Sequence, residues 1–221
     1  MTKQERMTRA DGDTTSRRIL DAAGPLFAAS GFAETTNKAI AGQAGVDVAS
    51  INYHFGGRGG LYQAALAEAH RQLIGLGDLE VIDASGLPAT EKLARLIDVL
   101  LGAAFAGNGW PARLLAREVL SPSSHLSVLM NEEIQPKLVI VRRILSEVSG
   151  IAPGDPALLR CMVSVAAPCL MLVVAGSDVP GPAQAIRQMP REVLARHLYA
   201  FAIAGLRAVG RQQGGVDAAP M

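Results

Sequence analysis

Apolar residues return at helical spacing along nearly the whole chain. Ile19, Ala23, Leu26 and Phe27 fall at i, i+4, i+7 and i+8, which gathers them on one face of a helix. Thr14, Thr15 and Ser16 precede that run as capping candidates, Gly31 stands where it should stop, and Gly24-Pro25 marks a place for a kink. In the next stretch, TTNKAIAGQAG, Thr35 or Thr36 can cap a short helix whose Ile40, Ala41 and Ala44 point inward. Gly45 can end it in the left-handed conformation. A third helix is expected from Asp47, an N-cap residue, to Phe55. Its inward positions Val48, Ile51 and Phe55 lie within about 60° of one another at roughly 100° per residue. Ala49, Ser50, Tyr53 and His54 fill the opposite arc, with Asn52 on the flank.

The helical pattern continues from Leu61 to about Leu76, and GLGDLEVIDASGLPAT then breaks it. Beyond the break, Leu93, Leu96, Ile97, Leu100, Leu101, Ala104 and Phe105 make an amphipathic stripe. Further helices are expected at 111–120, 124–149, 156–176 and 190–210, each bounded by Pro or Gly. No alternating strand and no internal repeat appears, so the chain reads as all-α. The expected organisation is a flexible arm at 1–13, a head at 14–74 with a helix-turn-helix at 36–55, a linker at 75–90, a helical bundle at 91–210 and a disordered tail at 211–221.

Composition narrows the function by exclusion. With 49% hydrophobic residues in 221, the chain can bury a substantial core. A net charge of +1, with eight Lys/Arg against seven Asp/Glu in the first 74 residues, gives no basic signature of nucleic-acid binding. Cys161 and Cys169 stand roughly two helical turns apart, too far for a bridge, which fits a reducing cytoplasm. The N-terminus lacks the apolar core of a signal peptide, and the run CMVSVAAPCLMLVVA falls short of the roughly 18 residues of a membrane span. A soluble, cytoplasmic protein with no membrane partner is expected. His70, His125 and His197 show no metal spacing, and there is no Walker loop, nucleophile elbow or paired-carboxylate site. Neither metal, cofactor nor catalytic residue is expected, and the pattern argues against an enzyme.

Two short helices joined by a tight, glycine-started turn, the second with a polar outer face, describe a helix-turn-helix. The second helix of such a unit enters the major groove, where Ser50 and Asn52 can bond base edges and Tyr53 and His54 can bond bases or phosphates. Val48, with Ala49 beside it, offers only apolar contact, such as with a thymine methyl. The spaced residues Ile19, Ala22, Phe27, Gly31, Thr36, Ile40, Ala41, Ala44, Gly45, Val46, Tyr53, Phe55 and Leu61 carry a resemblance to the TetR/AcrR family of bacterial transcriptional regulators. Residues 114–138, LLAREVLSPSSHLSVLMNEEIQPKL, resemble the CecR branch of that family.

The resemblance implies an all-helical homodimer with three DNA-binding helices, a connecting fourth helix, and a C-terminal bundle holding the dimer interface and a small-molecule pocket. It places Thr35, Thr36 and Lys38 where phosphate is often met, and Arg58 where a lysine near the operator phosphate is common. Ordinary capping and solvation compete with each of those roles. Gly59 and Gly60 replace better helix formers and suggest a soft first turn on the connecting helix. For the pocket, Arg113 and Arg117, at i and i+4, could meet a polar or anionic effector, and Met130, Met162 and Cys169 could line it. The plainer readings are a solvated face and core packing. The expected function is a ligand-responsive, DNA-binding regulator of a palindromic operator, a repressor released when a small molecule binds, although an activator would have the same head. The alternative is a helical drug- or lipid-binding protein whose head docks another protein.

Overall fold

The computed structural model describes residues 3–105, 109–175 and 181–216. Its helices, in chain order, are α1 (Lys3–Glu34), α2 (Asn37–Ala44), α3 (Val48–Phe55), α4 (Arg58–Leu73), α5 (Leu76–Ala84), α6 (Ala89–Phe105), α7 (Trp110–Leu120), α8 (Leu126–Leu129), α9 (Gln135–Ser149), α10 (Pro156–Ala175), α11 (Pro182–Arg187) and α12 (Arg191–Val216). A π-helical turn, Met130–Ile134, joins α8 to α9. No strand occurs among the described residues. The chain forms two compact units: one runs to Gln72 and takes in Gly109–Asn131, and the other comprises Leu73–Asn108 and the chain from Glu132 onward.

The first unit is built on α1. Ile19, Ala22, Ala23 and Phe27 are buried with Ile40, Ala41 and Ala44 of α2, Ile51 of α3, and Leu61, Tyr62, Ala65 and Leu66 of α4. Pro25 lies inside α1, where a kink is expected, and Gly24-Pro25 keeps helical dihedrals. The helix is interrupted at Gly31 (φ 80°, ψ 174°), a conformation that L side chains rarely adopt. Gly24 matters for packing: a Cβ there would lie 2.7 Å from the Trp110 ring, so only glycine lets the first residue of α7 seat against α1. The expected arm at 1–13 is helical from Lys3, and Met1 and Thr2 lie outside the described residues.

The second unit packs α5, α6, α9, α10 and α12 around Leu79, Leu93, Leu96, Ile97, Leu101, Ile144, Leu145 and Leu158. The expected linker at 75–90 is a correction: α5 occupies much of it, because Leu76, Leu79 and Ile82 recur every three residues and pack against this core. The expected bundle at 91–210 is also divided differently, since α7 and α8 belong to the first unit. The tail expected from 211 continues α12 to Val216, and the rest lies outside the described residues.

Pro156–Ala175 and Arg191–Gln213 are long and apolar enough to cross a membrane by length and composition. Each carries an exposed apolar stripe. Leu159, Val163 and Leu170 share a face of α10, and Phe201, 77% exposed, stands with exposed Ala204 and Gly205 on α12.

Candidate nucleic-acid interface

The two short helices are fixed at their ends by local chemistry. Thr36 caps α2, its hydroxyl oxygen accepting from the Ala39 N–H at 3.1 Å. Gly45, at φ 64°, turns the chain out of α2, and Val46 N–H closes back onto the Ala41 carbonyl at 3.0 Å. Asp47 caps α3 by accepting from Ala49 N–H at 3.1 Å, and Gly56 ends it at φ 68°. Caps at both starts and left-handed glycines at both ends hold a tight helix-turn-helix without a long loop.

Helix α3 is two-sided. Ile51 is fully buried, whereas Val48, Ala49, Asn52 and Tyr53, at i, i+1, i+4 and i+5, form one exposed face. Val48 corrects the inward position that its place on the helical wheel suggests. As the first residue of the helix it lies beyond the core and is 39% exposed, so it joins the outer face. Tyr53, 86% exposed, meets the His54 ring edge-on at 4.9 Å. Ser50 and His54 are half-buried at the margins of this face. An exposed phenol beside an amide and a methyl-bearing side chain supplies both donors and apolar contact to a base edge.

Flanking residues divide. Thr36 and Lys38 are exposed at the start of α2. Thr35 is a correction: it is 3% exposed and its hydroxyl donates to the Gly31 carbonyl at 2.7 Å, so its side chain stabilises the α1–α2 corner from within. Arg58 lies against the same corner. Its guanidinium lies over the Phe32 ring at 4.6 Å, and Nη1 donates to the Thr35 carbonyl at 3.0 Å.

The glycines around Arg58 also read differently in three dimensions. Gly57 has φ 116°, and a Cβ on Gly60 would stand 2.0 Å from the Phe55 carbonyl oxygen. The first turn of α4 thus presses on the end of α3, and Gly60 is required by that close approach rather than as a soft spot. Gly59 is freer, with the nearest atom, His125 Cε1, at 3.4 Å.

Contacts distant in sequence complete the head. Arg18 Nη2 donates to the carbonyls of Ala44 at 2.6 Å and Gly45 at 3.1 Å. Neighbouring Arg17 pairs with Glu68 of α4 at 3.3 Å. Hydrogen bonding from Gln72 and then Arg71, with the charges of Arg17 and Arg71, holds the Glu68 carboxyl below its usual range. Glu118 is buried, accepting from the Tyr62 hydroxyl at 2.8 Å and from Ser123 N and Oγ at 2.8 and 2.7 Å. Nothing in the local pattern distinguishes Arg18 or Glu118 from surface charges.

The five residues expected to line a pocket are divided between the two units. Arg113 is exposed on α7, and Arg117 donates to the Ala29 carbonyl at 3.0 Å, capping the end of α1 beside Gly31. Met130 is half-buried at the end of α8 in the same unit, while Met162 and Cys169 are core residues of the second unit. Burial pushes the Cys169 thiol up to about 11, which leaves it an apolar packing group at neutral pH.

A family profile described as "Bacterial regulatory proteins, tetR family" matches residues 19–65, and one described as "HTH-type transcriptional dual regulator CecR, C-terminal domain" matches residues 89–206. The chain is 27% identical over 134 residues to "Probable HTH-type transcriptional regulator YttP" of Bacillus subtilis, covering 61% of this chain and 64% of that one. It is 38% identical over 68 residues to the HTH-type transcriptional regulator SrpR of Pseudomonas putida, covering 31% and 32% of the two chains. The chain thus spans just under two thirds of YttP and about a third of SrpR. Among solved structures, FadR of Bacillus subtilis in complex with stearoyl-CoA superposes with a TM-score of 0.66 at 20% identity, covering 86% of this chain and 98% of that one. The fatty acid degradation regulator FadR of Bacillus halodurans gives 0.66 at 16%, covering 86% and 99%. At these identities the likeness establishes a shared fold.

Proposed function

The chain belongs to the tetR family of bacterial regulatory proteins, and on that premise we propose that it is a ligand-responsive repressor that reads a palindromic operator as a homodimer in the cytoplasm. The observation that carries this reading is the exposed face of α3, where Val48, Ala49, Asn52 and Tyr53 stand opposite a fully buried Ile51 on a helix capped at both ends. Asn52 and Ser50 read base edges, Val48 and Ala49 supply apolar contact, and Tyr53 and His54 bond bases or phosphates. Thr36 serves twice: its oxygen caps α2 and its hydroxyl proton remains to donate to a phosphate, beside the charge of Lys38.

A reading helix of eight residues offers few contacts, so affinity calls for two heads on successive major grooves. The exposed apolar stripes of α10 and α12 suit the dimer interface, and burying them between protomers accounts for two helices otherwise apolar enough for a membrane. The effector binds the second unit. Bacillus subtilis FadR, which shares the fold, holds stearoyl-CoA, so amphipathic acyl compounds are the first class to screen. A coupling of about 1–3 kcal/mol between the sites suffices for a 5- to 150-fold loss of operator affinity.

Titration of DNA from the region upstream of the protein's own gene, against a scrambled duplex, at several salt concentrations tests the reading. A preference for the native duplex that persists as salt weakens both affinities supports it. Equal affinity for the two, or none, favours a head that docks another protein.

A further inference from the structure

The face of α3 alone does not set how that face meets DNA. Helix α3 is joined to α2 by a turn only three residues long, and α2 itself is anchored in the core by Ile40, Ala41 and Ala44, two of them alanines. Small residues give little resistance to a tilt of α2. Two guanidinium groups brought in from other helices bond to its ends. At the C-terminal end of α2, Arg18 of α1 donates to the Ala44 carbonyl at 2.6 Å and to the Gly45 carbonyl at 3.1 Å. These oxygens lie at the negative end of the helix dipole, where a cation is favoured and where no intrahelical donor remains. At the N-terminal end, Arg58 of α4 donates to the carbonyl of Thr35, the residue before the cap, at 3.0 Å. Its plane is held over Phe32, whose ring in turn packs at 5.0 Å against both Tyr62 and His125.

We infer that Arg18 and Arg58 are positioning residues for operator recognition. Together they clamp α2 at its two ends and so fix the direction in which α3 leaves the Gly45 turn. The assignment rests on the DNA-reading role proposed above for α3. It separates these two arginines from phosphate ligands: their donors go to backbone carbonyls within the head, and their effect on DNA is transmitted through geometry.

A positioning residue and a phosphate ligand leave different signatures. Loss of a phosphate contact weakens all duplexes alike and reduces the salt slope by about 0.9. Loss of a clamp spoils base contacts while leaving phosphate neutralisation intact. The test measures affinity for a selected operator and for a scrambled duplex across salt, for wild type, Arg18→Ala, Arg58→Ala, Arg18→Lys and Arg58→Lys, with amide hydrogen exchange of the DNA-free proteins alongside. Each alanine variant is expected to lose roughly tenfold in operator affinity, as for a charge-assisted hydrogen bond. Affinity for the scrambled duplex and the salt slope should stay as in wild type. Exchange should quicken at Gly45 and Val46 in Arg18→Ala and at the first amides of α2 in Arg58→Ala. The lysine variants, with the charge but without the planar fork, should recover only part of the specificity. Uniform weakening with a shallower slope and full rescue by lysine would make these residues phosphate ligands and overturn the inference. So would unchanged specificity together with unchanged exchange. A wild-type protein with no operator preference would instead sink the DNA-reading role, while the exchange data still decide whether the clamp exists.

Discussion

The Tyr62 hydroxyl donates to Glu118 at 2.8 Å, joining α4 to α7 inside the first unit across 56 residues of sequence. The other oxygen of Glu118 accepts from both the N–H and the hydroxyl of Ser123, so the carboxylate is buried but fully partnered. Burial first, then the hydrogen bond and charge of Glu118, push the Tyr62 phenol well above its ordinary value of 10.0. Because the raised group keeps its proton in the folded state, its contribution is complete below about pH 10 and is lost as pH climbs above that value. Tyr62→Phe should therefore cost about 1–3 kcal/mol at pH 7 by leaving a buried oxygen short of a donor. It should also flatten the alkaline decline. Urea unfolding from pH 7 to 11 checks both, and an unchanged alkaline slope in the variant would assign that decline to other groups.

Adjacent glycines should behave oppositely. Gly60→Ala places a methyl 2.0 Å from the Phe55 carbonyl oxygen and must shift backbone, at a cost of about 1–3 kcal/mol with weaker operator binding. Gly59→Ala meets only His125 Cε1 at 3.4 Å and gains helix propensity, so its stability should stay within about 1 kcal/mol of wild type. Thermal unfolding of the two variants side by side decides it.

Trp110 is the sole tryptophan of the chain, and it sits where a Cβ on Gly24 would be 2.7 Å from its ring. Gly24→Ala should displace the indole, shifting its emission to the red and lowering stability by about 1–3 kcal/mol. Unaltered fluorescence would mean that α7 does not pack on α1 in this way.

Phe201→Glu puts a charge on the exposed stripe of α12. Sedimentation velocity should show a dimer becoming a monomer, with operator affinity falling in step and helical content by circular dichroism unchanged. A variant that remains dimeric would move the interface elsewhere.

The parts of the molecule legible in the sequence are those decided by neighbours. Asp47 as a cap, Gly45 as a left-handed stop, and Ile40, Ala41, Ala44 and Ile51 as the inner face all follow from short-range geometry. The misread residues are decided by contacts far along the chain or by packing that no local pattern reveals. Thr35 looks like a cap until the Gly31 carbonyl takes its hydroxyl, and Gly60 looks soft until Phe55 is seen against it. Arg117 reads as a ligand group because its partner, the Ala29 carbonyl, lies 88 residues away. Helix α5 reads as a linker because its glycine and aspartates weigh against helix locally, while the burial of Leu79 and Ile82 decides the matter in three dimensions.

Sequence reading by the outer face of α3 is measured by selection from a random duplex pool. Wild type should enrich a two-fold symmetric site whose half-sites lie about 10 bp apart or a multiple of that. Asn52→Ala should relax the preference at defined positions within each half-site, at a cost of about 1–3 kcal/mol. A pool that stays random with wild type, or a wild-type motif that Asn52→Ala and Tyr53→Ala both leave unchanged, would mean that this face does not read sequence.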